Sequence, residues 1–281
     1  MKILTQFWQE LFESNQFNSD WLERQRILYE KRDLKIVRVN GKGHIYQRMK
    51  YDQEEKIYYH LHLSMLLKKG NYFIREERTI PYEFILKDGE IVNHKLTEVR
   101  EQEELSGKLE PDSGQSENGE RFVYDRLAAV QYAERWWNSY NPAYRKFDVD
   151  CTNYVSQCLR AGGAPMRGAP NRNQGWWYSG NNWSYSWAVA HSLRWYLSGS
   201  TQGLKGREVD SASELQPGDV ICYDFEGDGR WNHTTIVVGK DTDGMPLVNA
   251  HTQNSRQRYW SYEDSSAYTP NIKYKFFHIG D

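Results

Sequence analysis

Residues 150–165 read Asp-Cys-Thr-Asn-Tyr-Val-Ser-Gln-Cys-Leu-Arg-Ala-Gly-Gly-Ala-Pro. After Cys151, apolar or small residues fall at Tyr154, Val155, Cys158, Leu159 and Gly162. That is the i, i+3, i+4, i+7 series of one helix face. Asp150 is a favourable N-cap type, and Gly162-Gly163 followed by Pro165 is a stop signal. The spacing therefore predicts a helix with Cys151 in its first turn, on the buried side. A thiol there feels the positive end of the helix dipole, which favours the nucleophilic thiolate. Most cysteines on an apolar face are simply small buried hydrophobes. Cys158, two turns further on, and Cys222, inside a strand pattern, fit that plainer reading.

Upstream, Asp125, Leu127, Ala128, Val130, Tyr132, Ala133, Trp136 and Trp137 repeat with helical spacing, and Asn141-Pro142 ends the run. Downstream, residues 171–185 show no period and read as a long ordered loop, while residues 186–197 are helical again. Strand patterns follow at 219–225, 233–239, 246–251 and 273–279. Helices first and an antiparallel sheet second make an α+β domain. His233 opens one strand and His251 closes the next, with the turn signal Asp241-Thr242-Asp243-Gly244 between them. The two histidines are expected to be cross-strand neighbours, with Cα atoms roughly 5 Å apart if directly paired. A helix N-terminus packed on that end would bring Cys151 to His233, with His251 behind it. His191 and His278 read as structural.

The rest of the chain bounds the possibilities. It has 281 residues, a net charge of −2, and aromatics at 15 %, including 11 Trp and 20 Tyr. Near-neutral charge gives no electrostatic case for a nucleic-acid partner. No window approaches the roughly 18 apolar residues of a membrane span. Three cysteines make no disulfide framework. Residues 1–20 show no charged stretch followed by an apolar core of a signal peptide, so a cytoplasmic location is expected, or a secreted one if a leader has been removed.

Residues 105–120, including Gly-Lys-Leu-Glu-Pro-Asp-Ser-Gly-Gln-Ser-Glu-Asn-Gly-Glu, read as a flexible linker. They divide an accessory domain at 1–104 from a second domain at 121–281. The first opens with helical spacing at Ile3, Phe7, Trp8, Leu11 and Phe12, and again at Trp21, Leu22, Ile27 and Leu28. Strand patterns at 34–39, 44–51, 56–67, 71–79 and 82–87 follow, with Gly41, Gly43, Gly70 and Asp88-Gly89 as turns. This is an α+β unit of helices on an antiparallel meander. His60 and His62 share one strand face, but no third ligand is near and the polar-face reading is preferred over a metal.

Four segments together carry a resemblance. Residues 150–158 resemble the nucleophile helix of a bacterial amidase-domain family in the papain-like cysteine amidohydrolase and peptidase group. Leu215-Gln216-Pro217-Gly218-Asp219-Val220-Ile221 resembles that group's strand entry. His233 with its β-branched strand resembles the base strand, and Val248-Asn249-Ala250-His251-Thr252 the strand of the third catalytic residue. The resemblance covers about residues 122–281 and implies a papain-like cysteine amidase domain. It implies Cys151 as nucleophile, His233 as general base and acid, and His251 as the residue orienting it, with Asn249 and Asn254 as alternatives. The Cys151 backbone N–H would form part of an oxyanion hole, and Asn141 or Tyr144 could supply a second donor. No metal or cofactor is implied.

Trp176 and Trp177, set among Asn, Gly and Ser, either line a substrate groove or fill the core, and Trp231 could flank the cleft. The implied partner is a peptide or muropeptide-like small substrate, with peptidoglycan-type peptides the family-level expectation. Two rival readings are a binding module on the same scaffold that has lost turnover, and a cysteine acyltransferase.

Overall fold

The computed structural model describes residues 2–13, 20–97 and 122–280. The expected linker lies outside the described residues. The chain divides into two compact units, Met1–Val99 with Tyr262–Ala267, and Arg100–Ser261 with Tyr268–Asp281. A short stretch of the C-terminal half thus belongs to the N-terminal unit, which sequence patterning did not suggest.

The N-terminal unit holds helices α1 (Lys2–Glu13) and α2 (Asp20–Lys31) and strands β1 (Lys35–Tyr51), β2 (Glu54–Lys69), β3 (Tyr72–Lys87) and β4 (Glu90–Leu96). Each strand pairs antiparallel with the next. In β2, Ile57, Tyr59, Leu61, Leu63, Met65 and Leu67 are buried in strict alternation, the period-2 pattern of a sheet with one covered face. They pack with Leu4 and Trp8 of α1 and Trp21, Leu22 and Tyr29 of α2. Buried aromatic polar groups are matched: Trp8 Nε1 donates to Tyr59 Oη at 2.8 Å, and Trp21 Nε1 to Tyr82 Oη at 2.9 Å.

Two strand boundaries depart from the sequence reading. Gly41 and Gly43 lie inside one 17-residue strand rather than in a turn. A Cβ at Gly43 would sit 3.3 Å from Leu4 of α1, so this glycine admits a close-lying helix. The segments at 71–79 and 82–87 are likewise one strand, running through Pro81.

The second unit contains α3 (Arg126–Trp136), α4 (Cys151–Ala161), a small hairpin of β5 (Tyr178–Ser179) and β6 (Asn182–Trp183), α5 (Tyr185–Ala188) and α6 (Ala190–Gly199). Strands β7 (Gly206–Val209), β8 (Val220–Asp224), β9 (His233–Lys240), β10 (Pro246–Ala250), β11 (Ser255–Tyr259) and β12 (Lys273–Ile279) follow. The antiparallel order in this unit is β11-β10-β9-β8-β12-β7. Strands β7 and β11 and the β5–β6 hairpin were not foreseen, and the helix expected at 186–197 is broken at Val189.

One sheet face, with Val220, Cys222, Ile236 and Phe277, packs on α3, α4 and α6 through Ala129, Ala133, Val155, Cys158, Leu159, Leu193 and Leu197. Helix α4 lies in the middle of this layer, and every residue from Cys151 to Leu159 is buried. Tyr223, between Val220 and Phe225, turns to the other face, where its Oη meets Thr235 Oγ1 at 3.1 Å and donates to the Trp260 carbonyl at 2.8 Å.

Candidate active site

Cys151 is the first residue of α4 and 1 % exposed. The helix starts there because the Asp150 carbonyl accepts the Tyr154 N–H at 2.9 Å. It ends at Gly162, with Gly163 in the left-handed region at φ +91, as the Gly-Gly stop signal requires.

Asp150 does not close the helix end with its side chain, as an N-cap ordinarily would. Its carboxylate is spent on three other donors. Oδ1 accepts from the Phe147 N–H and from Asn153 Nδ2, both at 2.9 Å, and Oδ2 meets His251 Nδ1 at 2.7 Å. His251 Nε2 meets the Trp136 carbonyl at 2.8 Å. A carbonyl only accepts, so Nε2 carries a proton. Both ring nitrogens of His251 and both oxygens of Asp150 thus have partners. The pair is buried, and the His251 ring stacks on Tyr154 at 4.0 Å. His251 therefore ties α3, α4 and the end of β10 together at Asp150, the residue before Cys151.

That arrangement corrects the orienting role expected of His251, because both of its ring nitrogens are taken by Asp150 and Trp136. The cause is a register slip. Leu247 pairs with Gly239 but Val248 with Val237. Continued, this register sets His251 against Thr234 rather than His233, and one residue reverses the facing. The alternatives do not take the role either. Asn249 bridges Glu134 Oε1 at 3.0 Å and the Gln257 N–H at 2.8 Å, and Asn254 bonds Tyr140.

The start of β9 meets the start of α4. Thr234 Oγ1 lies 3.2 Å from Thr152 Oγ1, so the residues next to His233 and next to Cys151 touch. His233 is paired with Tyr223, and its ring lies 5.6 Å from Tyr223 and 6.1 Å from Phe225. Burial first, and the Arg258 charge second, push its pKa down to about 3, so the imidazole is neutral, the form a base needs. The other two cysteines are poor nucleophiles: burial pushes both thiols well up.

The tryptophans resolve toward the core. Trp176 and Trp177 are buried, the first donating to Ser156 Oγ at 3.0 Å and the second to the Asn171 and Gln174 carbonyls. Trp231 is buried as well, its backbone N–H donating to His191 Nδ1 at 3.3 Å. Of the two readings left open for Trp176 and Trp177, their burial favours the core. Asn141 uses its amide on Tyr132 Oη and the Ala143 N–H, and Tyr144 stacks on Tyr178 and Trp187. Sequence reasoning missed Asp150 as a network carboxylate and Asn153, whose Oδ1 accepts the Trp187 indole N–H at 2.8 Å. Their only signal was adjacency to Cys151.

Among the described residues, no group of three or more His, Cys, Asp and Glu side chains is arranged to hold a metal, and no helix is long and apolar enough to cross a membrane.

Comparison with known proteins places these features. Uncharacterized protein YhbB of Bacillus subtilis (strain 168) is 50 % identical over 267 residues, covering 92 % of this chain and 86 % of the relative. Uncharacterized protein YjcM of the same organism is 30 % identical over 163 residues, covering 53 % of this chain and 37 % of its own length. No solved structure matches. The model of the family described as "Putative amidase domain" matches residues 123–277, a stretch that includes α3, α4, Cys151, His233 and His251, and the chain belongs to that family.

Proposed function

We propose that the second unit is a papain-like cysteine amidase in which Cys151 attacks an amide carbonyl and His233 moves the proton. The observation that carries this reading is the place of Cys151 at the first position of α4. His233 adjoins Thr234, which meets Thr152, but its ring packs with Tyr223 and Phe225 on the other sheet face, so the base role requires the ring to turn toward α4. In the reaction the thiol sulfur bonds the carbonyl carbon while its proton passes to the imidazole. The imidazolium then protonates the leaving amine, and water hydrolyses the thioester with His233 again as base. The first N–H groups of α4 lack intrahelical partners and offer positive potential to the developing oxyanion.

The lowered pKa of His233 argues for neutral thiol and neutral imidazole at rest, with proton transfer in step with attack, rather than a preformed ion pair. His251 acts through Asp150 as a positioning residue. The substrate class favoured by family is an amide in a peptide, peptidoglycan-type peptides included.

The test is turnover of a panel of muropeptides and acyl amides, read by mass spectrometry, by wild type, Cys151→Ala and His233→Ala. Release of an amine by wild type alone supports the reading; equal release by Cys151→Ala overturns it. Iodoacetamide labelling separates the resting states. Labelling of Cys151 should be slow at pH 6 and rise with pH as the thiol ionises, and fast, pH-independent labelling would indicate a preformed thiolate.

A further inference from the structure

The loop that leads into Cys151 carries Arg145 and Lys146, and both are exposed. The Arg145 guanidinium lies 5.3 Å from the Trp183 ring centroid, and Arg172, from the following loop, lies 4.9 Å from the same ring. Two guanidinium groups thus lie close to one half-buried indole. Arg172 is aimed by its Nε, which donates to the Trp183 carbonyl at 3.0 Å. The indole in turn is braced by Phe147 at 4.8 Å and Tyr178 at 6.3 Å. Among the described residues neither guanidinium pairs with a carboxylate, and the Nη groups of both have no acceptor. Unmatched guanidinium groups held on an aromatic face are preorganised for a planar anion, because the fork can bind a carboxylate through two parallel hydrogen bonds.

The platform is tied to the nucleophile's turn. Asn153 Nδ2 donates both to the Arg145 carbonyl and to Asp150 Oδ1, each at 2.9 Å. The Phe147 N–H bonds the same Asp150 oxygen. One side chain therefore separates the backbone of Arg145 from the first turn of α4.

We propose that Arg145 and Arg172, stacked on Trp183, form a carboxylate subsite beside Cys151, so that the amide substrate carries an acidic side chain or free carboxylate near the scissile bond. This rests on the amidase reading for its place in a reaction but not for its test. Binding is measured by calorimetry on the full chain carrying Cys151→Ala, with N-acetylalanylglutamic acid amide and its glutamine counterpart as probes. The glutamate peptide should bind at least tenfold more tightly, and more weakly as salt rises. In R145Q/R172Q the preference should shrink to within twofold, with the melting temperature unchanged. Equal affinity for the two peptides, no binding of the glutamate peptide at millimolar concentration, or a preference that survives R145Q/R172Q would each overturn the subsite. Should the double variant unfold, R145Q alone decides, since Arg145 is exposed; at least a threefold loss of the preference is expected, and no loss overturns the proposal. Absence of turnover by wild type would sink the amidase reading while leaving this measurement to stand on affinity.

Discussion

In the N-terminal unit Arg78 is buried between the carboxylates of Glu76 and Asp264, with Gln25 and Tyr29 completing the bonds to Glu76. In the second unit Asp150 is buried among His251, Asn153 and the Phe147 N–H. Both networks bury titratable side chains and give them partners, yet they hold different things. The first joins β3 to α2 and to the stretch Tyr262–Ala267, all within one scaffold. The second is built on the residue before Cys151, and its bonds hold the start of the first turn of α4. A buried ion pair is weak evidence of stability by itself; what it positions decides what its loss does.

The largest expected effect separates the thiols on one helix. Cys151→Ala should lower kcat about a thousandfold or more, the loss expected of a nucleophile. Cys158→Ala should leave kcat within about twofold and lower stability by roughly 1 kcal/mol, the scale for removing a small buried group. Steady-state kinetics and chemical denaturation read both.

Next come the two networks. Arg78→Ala leaves buried carboxylates unpaired and should cost about 3–5 kcal/mol of stability, with kcat per folded molecule unchanged. Asp150→Asn keeps the side-chain shape but unpairs His251. It should lower kcat at least about tenfold with KM nearly constant. If Arg78→Ala lowered kcat as Asp150→Asn does, the contrast between scaffold and positioning network would fail.

The buried histidines give each unit a pH signature. Burial lowers His94 to about 4 in the N-terminal unit, and burial with Arg258 lowers His233 to about 3 in the second. Each is neutral when folded and takes a proton near pH 6.5 when unfolded, so the unfolded chain binds more protons as pH falls. Stability is therefore full above pH 6.5 and lost below it. The slope is about 1.4 kcal/mol per pH unit for each histidine, ending near pH 4 for His94 and near pH 3 for His233. His94→Gln should flatten the acid limb of denaturant midpoints without changing kcat. A limb unchanged by His94→Gln would remove that histidine from the account. The smallest effect is Trp176→Phe, which loses one buried hydrogen bond. It should cost about 1 kcal/mol with KM unchanged, whereas a raised KM would restore the groove.

How far the sequence could be read differs between the two units in the same way. The alternation of β2 and the helix from Cys151 to Ala161 were legible because each rests on local periodicity. The merging of β1 across Gly41 and Gly43 was not, because those glycines answer to Leu4, distant in sequence. The pairing of His233 with His251 was misread for a comparable reason: a bulge between Leu247 and Val248 carries no sequence mark, yet it changes which face His251 shares. Asp150 was legible as a residue at a helix start but not as the carboxylate that His251 holds, since that bond joins positions about a hundred residues apart.

The central claim is that Cys151 is acylated, and one measurement addresses it directly. The full chain is mixed with an amide substrate that it turns over, quenched in acid within the first turnover, and mapped by peptide mass spectrometry. The account predicts a transient acyl mass on Cys151, absent from Cys158 and Cys222, and longer-lived in His233→Ala if any forms there. Amine release with no adduct on Cys151 at any quench time, together with undiminished turnover by Cys151→Ala, would contradict it.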